Sequence, residues 1–296
     1  TELNNSTGII AFILMLLGIG VKAELFPVNT WVPEVYATAG KRVSALLAGV
    51  VSKLAVLVLV RIMLLMFQVE PVLQIMLLFG LLGVIGGELA AWRARDMSRM
   101  LAYSSIGQLG MVFIAFSIPG AAGLYAGLAL SLHHLLVKPA LFLLAERWNY
   151  SLQRLAGAAK SAPLAALLFL LFALSLIGVP PLPGFWAKLL LVTGLIGQDA
   201  AVYALALVVV LLATVLEANY LMRVALGLYA SEQDPQPVPN VPAQGLNLAT
   251  SALFAVALII TALLIAPVGE YLEQGALQMA DVDNYVSTVF PAGGSR

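Results

Sequence analysis

The chain has 296 residues, of which 61% are hydrophobic and only 10% are charged, and its mean hydropathy is +0.99. A soluble globular chain is nearer half apolar and a quarter charged, so this excess of apolar residues cannot be hidden in an aqueous core. The formal net charge is zero, which gives no basis for nucleic-acid binding, and the lack of cysteine excludes disulfides, thiolate metal sites and a locally bound iron–sulfur cluster.

Apolar segments of membrane-spanning length recur along the chain, and each span needs about 20 such residues. We therefore predict an all-α polytopic membrane protein with about eight transmembrane helices. They fall at 8–26, 43–66, 72–92, 101–118, 121–145, 163–197, 201–229 and 246–267. Because the chain starts with Thr1 and has no signal-peptide pattern before its first span, we expect it to lack an N-terminal part.

The connections between these spans differ in charge from one side of the membrane to the other. If 163–197 is a single crossing, one side collects the basic residues Lys41, Arg42, Arg93, Arg95, Arg99, Arg147, Arg154 and Lys160. The other side has Asp199 and an acidic tail. The positive-inside rule then predicts a cytoplasmic basic side, with both ends of the chain outside and the proline-rich loop 231–245 inside.

Four lysines lie within or next to the apolar segments, namely Lys22, Lys53, Lys138 and Lys188. A lysine near the bilayer centre costs about 2.5–3.5 kcal/mol, so four cost roughly 10–14 kcal/mol, as much as the whole stability of an ordinary domain. Desolvation disfavours an ammonium ion, so a buried lysine can exchange its proton with internal water. The pattern favours a proton pathway.

Two other interpretations of these lysines stay open. A long basic side chain can carry its charged group out to the headgroups, which fits Lys22 better than Lys53 and fits the nearby Arg61 best of all. A structural ion pair with Glu24, Glu88 or Glu217 is the second, and such a pair would also tune proton affinity.

Two histidines precede Lys138. His134 is four residues away and would share its helix face, and imidazole titrates near neutrality, which suits a proton relay. His133 is as well explained by a neutral packing role. No third ligand lies near the pair, so we predict neither a metal site nor a bound cofactor.

The segment GVPPLPGFWAKLLLV at 178–192 interrupts a long apolar run. Its prolines deny helical hydrogen bonds, and its glycines relax the chain around them. Irregular backbone at membrane depth is tolerated where it is buried in protein or lines a cavity, and broken helices mark ion pathways in transporters. We predict a break at Pro180, Pro181, Pro183 and Gly184 with Lys188 just beyond it, and a second break around Pro27. A simple proline kink is the alternative.

These residues resemble the antiporter-type membrane subunits shared by respiratory complex I, membrane-bound hydrogenases and Mrp cation/proton antiporters. The matching stretches, in family order from about Ile9 to Arg223, are VKAELFPVNTWVPEVY, VSALLAGVVSKLAVLVLVR, RDMSRMLAYSSIGQLG, HHLLVKPALFLLAE and GVPPLPGFWAKLLL.

The resemblance implies a fourteen-helix fold with two inverted five-helix repeats, each with a broken helix and a half-channel. The chain would then be the C-terminal two thirds of such a subunit. Residues 1–66 would be the end of the first repeat, 67–229 the second repeat, and 230–296 a loop, the last transmembrane helix and a tail.

The resemblance also assigns residues. Lys22 and Lys53 match the paired lysines of the first repeat, Lys138 with His134 matches the central lysine, and Lys188 matches the last ionisable residue of the second broken helix. The family's essential glutamate, which pairs with the first lysine, belongs upstream of this chain. Asn29 stands where the family often has a histidine.

By resemblance, the function is proton translocation in a multi-subunit monovalent cation/proton antiporter, similar to the D-type subunit of Mrp antiporters. A proton-pumping subunit of NADH-quinone oxidoreductase or a related hydrogenase is the alternative; a solitary secondary transporter or a non-conducting assembly subunit fits less well. No catalytic centre is expected on this chain, which would be at most a subunit of a translocase. The expected partners are other membrane subunits, lipid, protons and Na⁺, in the inner membrane of a prokaryote.

Overall fold

The computed structural model describes residues 5–67, 70–148, 152–231 and 245–289. Within those ranges the chain is almost wholly helical and forms no strand. Its helices are α1 (Ser6–Gly20), α2 (Val32–Thr38), α3 (Lys41–Leu46), α4 (Ser52–Met66), α5 (Glu70–Arg93), α6 (Met97–Phe116), α7 (Ala121–Ala145), α8 (Ala158–Ser161), α9 (Pro163–Ile177), α10 (Pro183–Ile196), α11 (Ala201–Tyr229), α12 (Gly245–Leu263), α13 (Ile265–Ala280) and α14 (Val282–Val289).

In the described part of the chain, six helical segments are long and apolar enough to cross a membrane. They are Lys41–Met66, Glu70–Arg93, Met97–Phe116, Ala121–Trp148, Ala201–Tyr229 and Gly245–Leu263, and α1, α9 and α10 are shorter apolar helices. The predicted all-α polytopic fold is confirmed. Two predicted spans differ in detail, because 163–197 is divided between α9 and α10, and the first helix ends at Gly20. The division of the chain at 66 and 229 stays a prediction.

Helix α6 lies at the centre of the helical assembly, between α5 and α7. Almost all of its side chains are buried. The contact with α5 is close because glycines face each other: a Cβ on Gly110 would lie 2.7 Å from the carbonyl oxygen of Gly80, and Gly87 lies against Gly107. Small residues permit this close approach of two helices in a membrane.

Helix α7 packs against α3, α6, α10, α12 and α13, and it carries both histidines and Lys138. Pro139 interrupts its hydrogen-bonding pattern from within. The Pro139 ring lies against Gly49, where a Cβ would approach it to 2.5 Å. Gly49 belongs to a single π-helical turn at Leu47–Val51, which joins α3 to α4. Such turns occur mostly as local insertions in α-helices, frequently at functional sites.

The predicted break near 178–184 is present between α9 and α10. Helix α9 ends at Ile177, and Gly178 adopts a left-handed φ of +92° that suits glycine. The non-helical residues are 178–182, so Pro183 and Gly184 lie in the first turn of α10 and not in the break itself. Proline is tolerated there because the first N–H groups of a helix have no intrahelical acceptor.

A second interruption separates α1 from α2, around Pro27. Two side chains hold its turns in place: Trp31 Nε1 donates to the carbonyl oxygen of Val21 at 3.0 Å, and Asn29 Nδ2 donates to that of Glu24 at 3.2 Å. Glu24 has a positive φ of 58°, which is uncommon for a residue with a side chain. Its carboxyl group is turned into the protein, where the residue is 1% exposed.

The segment after the last span is helical, whereas the sequence suggested only a tail. Helix α13 packs against α7 and α4, and α14 follows it. In α13 and α14, apolar and polar residues alternate at helical spacing, so the apolar face of each helix can lie against the rest of the protein. The Arg61 guanidinium lies 3.7 Å from the ring centroid of Tyr285 on α14. Most of the predicted loop 231–245 lies outside the described residues.

Candidate functional site

Apart from Lys41, whose ammonium donates to the backbone carbonyl groups of Tyr36 and Ala37, eight Lys, His and Glu side chains are buried in the described part of the interior, each at most 7% exposed. They are Glu24, Lys53, Glu88, His133, His134, Lys138, Lys188 and Glu217. They come from the turn after α1 and from helices α4, α5, α7, α10 and α11. Burying so many charges is costly unless they are paired or hydrogen-bonded, so their contacts determine what the set can do.

Lys188 and Glu217 form a buried ion pair. Lys188 Nζ donates to Glu217 Oε2 at 2.6 Å and also lies 3.3 Å from the carbonyl oxygen of Ile177, the last residue of α9. The other carboxylate oxygen of Glu217 accepts from Gln108 Nε2 at 2.6 Å. The break brings Lys188 beside the C-terminal end of α9, where free carbonyl groups favour a cation.

Lys138 begins a hydrogen-bonded series whose four members lie on four different helices, α7, α6, α11 and α5. Its Nζ donates to Ser104 Oγ at 2.6 Å. The Tyr220 hydroxyl lies 2.8 Å from Ser104 Oγ and 2.9 Å from Glu88 Oε2. A hydroxyl can accept one hydrogen bond and donate another, so the four groups can be oriented in one direction from the ammonium to the carboxylate. Lys138 and Tyr220 are both 0% exposed.

Lys53 lies at the start of α4, directly after the π-helical turn. Its ammonium donates to the carbonyl oxygen of Ala48 within that turn and to Ser52 Oγ at 3.1 Å. Glu24 is within electrostatic range of Lys53, and its Oε1 accepts from the Tyr36 hydroxyl at 2.5 Å. The turn after α1 thus supplies a buried carboxylate to the lysine of α4.

The two histidines occupy different environments. His133 Nε2 is 2.9 Å from Ser175 Oγ on α9, and its ring packs against Gly184 at the start of α10. His134 is 1% exposed, and neither of its ring nitrogens is hydrogen-bonded to another described residue. It lies within electrostatic range of both Lys53 and Lys138. His134 therefore interacts electrostatically with both lysines. A shared helix face would suggest a hydrogen bond between His134 and Lys138, but the structure has none.

Lys22 is separate from this buried set. Its side chain is exposed on the turn that follows α1, whereas Glu24, two residues later, points inward. In this chain, which by resemblance lacks part of the first half-channel, the Lys22 side chain has no buried partner among the described residues. The turn reverses side-chain direction over two residues, and helical periodicity could not anticipate that change. Its role in proton transfer stays a prediction.

Six polar residues of the network were not singled out from the sequence: Tyr36, Ser52, Ser104, Gln108, Ser175 and Tyr220. All are buried and each bonds directly to one of the ionisable residues. Serine and tyrosine are common in membrane helices, so residue type alone gives no signal. The one usable signal was Gln108, an amide in the middle of an apolar span.

A cavity of about 560 Å³ lies between α7, α10 and α13. His133 and Pro183 line it, together with Glu270 and Glu273 of α13, and most of the other lining residues are apolar. It brings the acidic residues of α13 to the same space as the histidine beside the break. No group of three His, Asp or Glu residues in the described ranges has the geometry to hold a metal ion.

Residues 1–216 match the family model described as "NADH:quinone oxidoreductase/Mrp antiporter, TM". The chain belongs to this family. Among curated relatives, NADH-quinone oxidoreductase subunit N of Desulforudis audaxviator is 35% identical over 238 residues, which cover 77% of this chain and 47% of the relative. The D-type subunit of the Na⁺/H⁺ antiporter of Bacillus subtilis is 26% identical over 97% of this chain and 59% of the relative.

Solved structures of this family have the same fold. A chain of the Mrp complex from Dietzia sp. DQ12-45-1b is similar with a TM-score of 0.85 and 26% identity, over 97% of this chain and 62% of that one. A chain of respiratory complex I from Thermus thermophilus is similar with a TM-score of 0.72 and 30% identity, over 89% of this chain and 58% of that one. The chain thus spans about half to three fifths of these relatives, and it is an antiporter-type membrane protein.

Proposed function

We propose that this chain is a proton-translocating subunit of a multi-subunit monovalent cation/proton antiporter, similar to the D-type subunit of Mrp antiporters. The observation that carries the proposal is the series of buried ionisable residues from Glu24 to Lys188, which extends from the turn after α1 to the helix beyond the break at 178–182. A merely structural ion pair would need two such residues, and the described ranges bury these eight in addition to Lys41.

The contacts support stepwise proton transfer. Lys138 is central, because it interacts electrostatically with Glu24, Glu88, Glu217 and Lys188. A proton that leaves Lys138 Nζ can reach Glu88 through the Ser104 and Tyr220 hydroxyls, each of which releases one proton as it receives another. The loss of charge on Lys138 then changes the electrostatic field at the Lys188–Glu217 ion pair. Changing a charge at one position would thus alter proton affinity at the next.

Lys188 and His133 would form one end of the pathway. His133 adjoins the cavity that also contacts Glu270 and Glu273, and both His133 and Lys188 border the break. We propose that protons pass between this cavity and the buried set. Lys53 and Glu24, near the interruption between α1 and α2, would serve the other end, where Lys22 is exposed on the surface of this chain.

A second candidate is a proton-pumping subunit of NADH-quinone oxidoreductase. The 35% identity to subunit N of that enzyme favours it, whereas the TM-score of 0.85 and the fuller coverage favour the Mrp-type assembly. Both candidates use the same buried residues and differ in what drives the protons. Everted vesicles that carry the protein with its native partners separate them: a sodium or potassium pulse should collapse a preset ΔpH in the first case, and only NADH oxidation should build one in the second.

Tyr220→Phe tests the pathway common to both candidates. It deletes the hydroxyl between Ser104 and Glu88 and leaves the ring in place, so proton transport should fall at least about tenfold while the folded protein remains. Tyr203→Phe is the matched control, because the Tyr203 hydroxyl donates to the carbonyl oxygen of Ser117, outside the series. Equal transport in the two variants would contradict a route through Tyr220.

A further inference from the structure

A second cavity, of about 630 Å³, lies where α5 and α11 end on the basic side of the protein. Three arginines and a tryptophan line it: Trp92 and Arg93 at the end of α5, Arg95 just after it, and Arg223 in the last two turns of α11. We call these residues the arginine pocket. Its volume is in the range of ordinary ligand sites, roughly 300–1,000 Å³.

Within residues 5–67, 70–148, 152–231 and 245–289, no acidic side chain pairs with the arginines of the arginine pocket. None of its described lining residues is acidic, and none of the three arginines takes part in a salt bridge between described residues. The acid nearest in sequence, Asp96, bonds to Arg99 at 3.2 Å and caps α6. Three guanidinium groups around one space, without a counter-ion, favour an anionic ligand.

The arginine pocket lies at the level where membrane spans end. Arg93 is the last residue of the span Glu70–Arg93, and Arg223 is close to the end of Ala201–Tyr229. Trp92 Nε1 donates to Asn219 Oδ1 at 3.0 Å, and Arg223 Nη2 donates to the carbonyl oxygen of Trp92 at 3.1 Å. Tryptophan and basic residues are enriched at the height of the lipid headgroups.

Two apolar stripes lead away from the arginine pocket along the membrane-spanning part. Their residues recur at spacings of three and four and are 38% to 66% exposed: Leu78, Leu82, Ile85 and Leu89 on α5, and Leu205, Val208, Leu212 and Val215 on α11. The stripe on α5 ends at Trp92 and that on α11 ends at Asn219, two residues that are bonded to each other. Both stripes therefore border one seam between the helices.

We propose that the arginine pocket binds one anionic phospholipid. Its phosphate contacts Arg93, Arg95 and Arg223, and its acyl chains lie along the seam of α5 and α11. Basic pockets between membrane helices on the cytoplasmic side are suited to such headgroups. The apolar stripes favour a lipid over soluble phosphate. Only a lipid has both a phosphate for the arginines and acyl chains that can lie along the seam of α5 and α11. The site is separate from the buried ionisable series, so it does not depend on the proposed function.

The test measures lipid binding to the protein purified from its membrane in the assembly that it forms. Phosphatidylglycerol and phosphatidylcholine are titrated in turn, and bound lipid is counted by native mass spectrometry. We compare Arg93→Gln/Arg223→Gln with Arg147→Gln/Lys160→Gln, which removes the same charge from the same side. At about 1 kcal/mol per basic residue, the first variant should bind phosphatidylglycerol roughly thirtyfold more weakly. The control should bind as the unchanged protein does.

Several results would overturn the proposal. Equal weakening in both double variants would mean that only overall charge matters, and equal binding of phosphatidylcholine would mean that charge does not matter. Competition by glycerophosphoglycerol at the same concentration as the intact lipid would identify a soluble phosphate site. Loss of a partner subunit from the first variant, without loss of lipid, would make the pocket a protein contact. Recovery of lipid binding in Arg93→Lys/Arg223→Lys would support the charged headgroup contact.

Discussion

Lys188 Nζ lies 2.6 Å from Glu217 Oε2, and this ion pair joins α10, just beyond the break, to the middle of α11. Glu217 is 0% exposed and Lys188 7%. Desolvation alone suggests that removing Lys188 should relieve a cost. The pair reverses this expectation, because removal of the lysine leaves a buried carboxylate without its cation.

Lys188→Leu should therefore destabilise the protein by about 3–5 kcal/mol. Lys188→Leu/Glu217→Gln should recover most of this loss, since the introduced amide is neutral and its oxygen could still accept from Gln108. Thermal unfolding in detergent measures both variants, with Lys160→Ala, an exposed lysine, as control. If the double variant is no more stable than the single one, the pair contributes no coupling.

Lys53→Ala should abolish or severely reduce proton transport, and so should Lys53→Arg, because guanidinium stays protonated at any accessible pH. Lys53 is 5% exposed, so the larger side chain must also displace the π-helical turn around Ala48. Dye-monitored ΔpH in vesicles measures transport, and Lys160→Arg is the matched control. Full activity in Lys53→Arg would show that a fixed positive charge suffices.

Lys138 and His134 should be coupled in transport although they share no hydrogen bond. His134 lies within electrostatic range of Lys138 in an interior of low polarity, where charges interact strongly. A double-mutant cycle with His134→Ala and Lys138→Ala should give a coupling of about 0.5–3 kcal/mol in the logarithm of the transport rate. A cycle of Lys138 with Ser104, bonded at 2.6 Å, provides the reference. Simple additivity would leave His134 as a packing residue.

Gly184→Ala should destabilise the protein by about 1–3 kcal/mol through overpacking. A Cβ at Gly184 would overlap the carbonyl oxygen of Ser175 and lie 2.8 Å from the His133 ring, so α9 and α10 would have to separate at the break. Gly18→Ala is the control, since its Cβ would meet no described atom within 4 Å. We expect that variant to unfold at the same or a slightly higher temperature. Equal unfolding temperatures for the two would mean that the break can widen freely.

Features that depend on the local composition of the chain could be predicted from the sequence. Span positions follow from apolar length, and the break at 178–182 follows from prolines and glycine within an apolar run. Burial of Lys53, Lys138 and Lys188 could be predicted because each lies well inside an apolar segment or beside the break.

Features that depend on contact between distant segments could not be predicted. Gln108 and Glu217 are 109 residues apart, and Ser104 and Tyr220 are 116 apart, so no local pattern indicates that they meet. The exposure of Lys22 in this chain could not be predicted for a different reason. Its turn is irregular, and side-chain direction there is fixed by the Trp31 and Asn29 hydrogen bonds, which no periodicity describes.

The central position of α6 has a consequence for how the protein enters the membrane. Of the six long apolar helices in the described ranges, α6 has the lowest mean hydropathy and the largest buried share. Surrounded by other helices, it contacts little lipid and can carry Ser104, Ser105 and Gln108 at low cost in the finished fold. During synthesis those neighbours are not all in place, and α6 must leave the translocon with a lower mean hydropathy than the other five spans. Its glycine contact with α5 offers a solution, since the two can insert together as a helical hairpin.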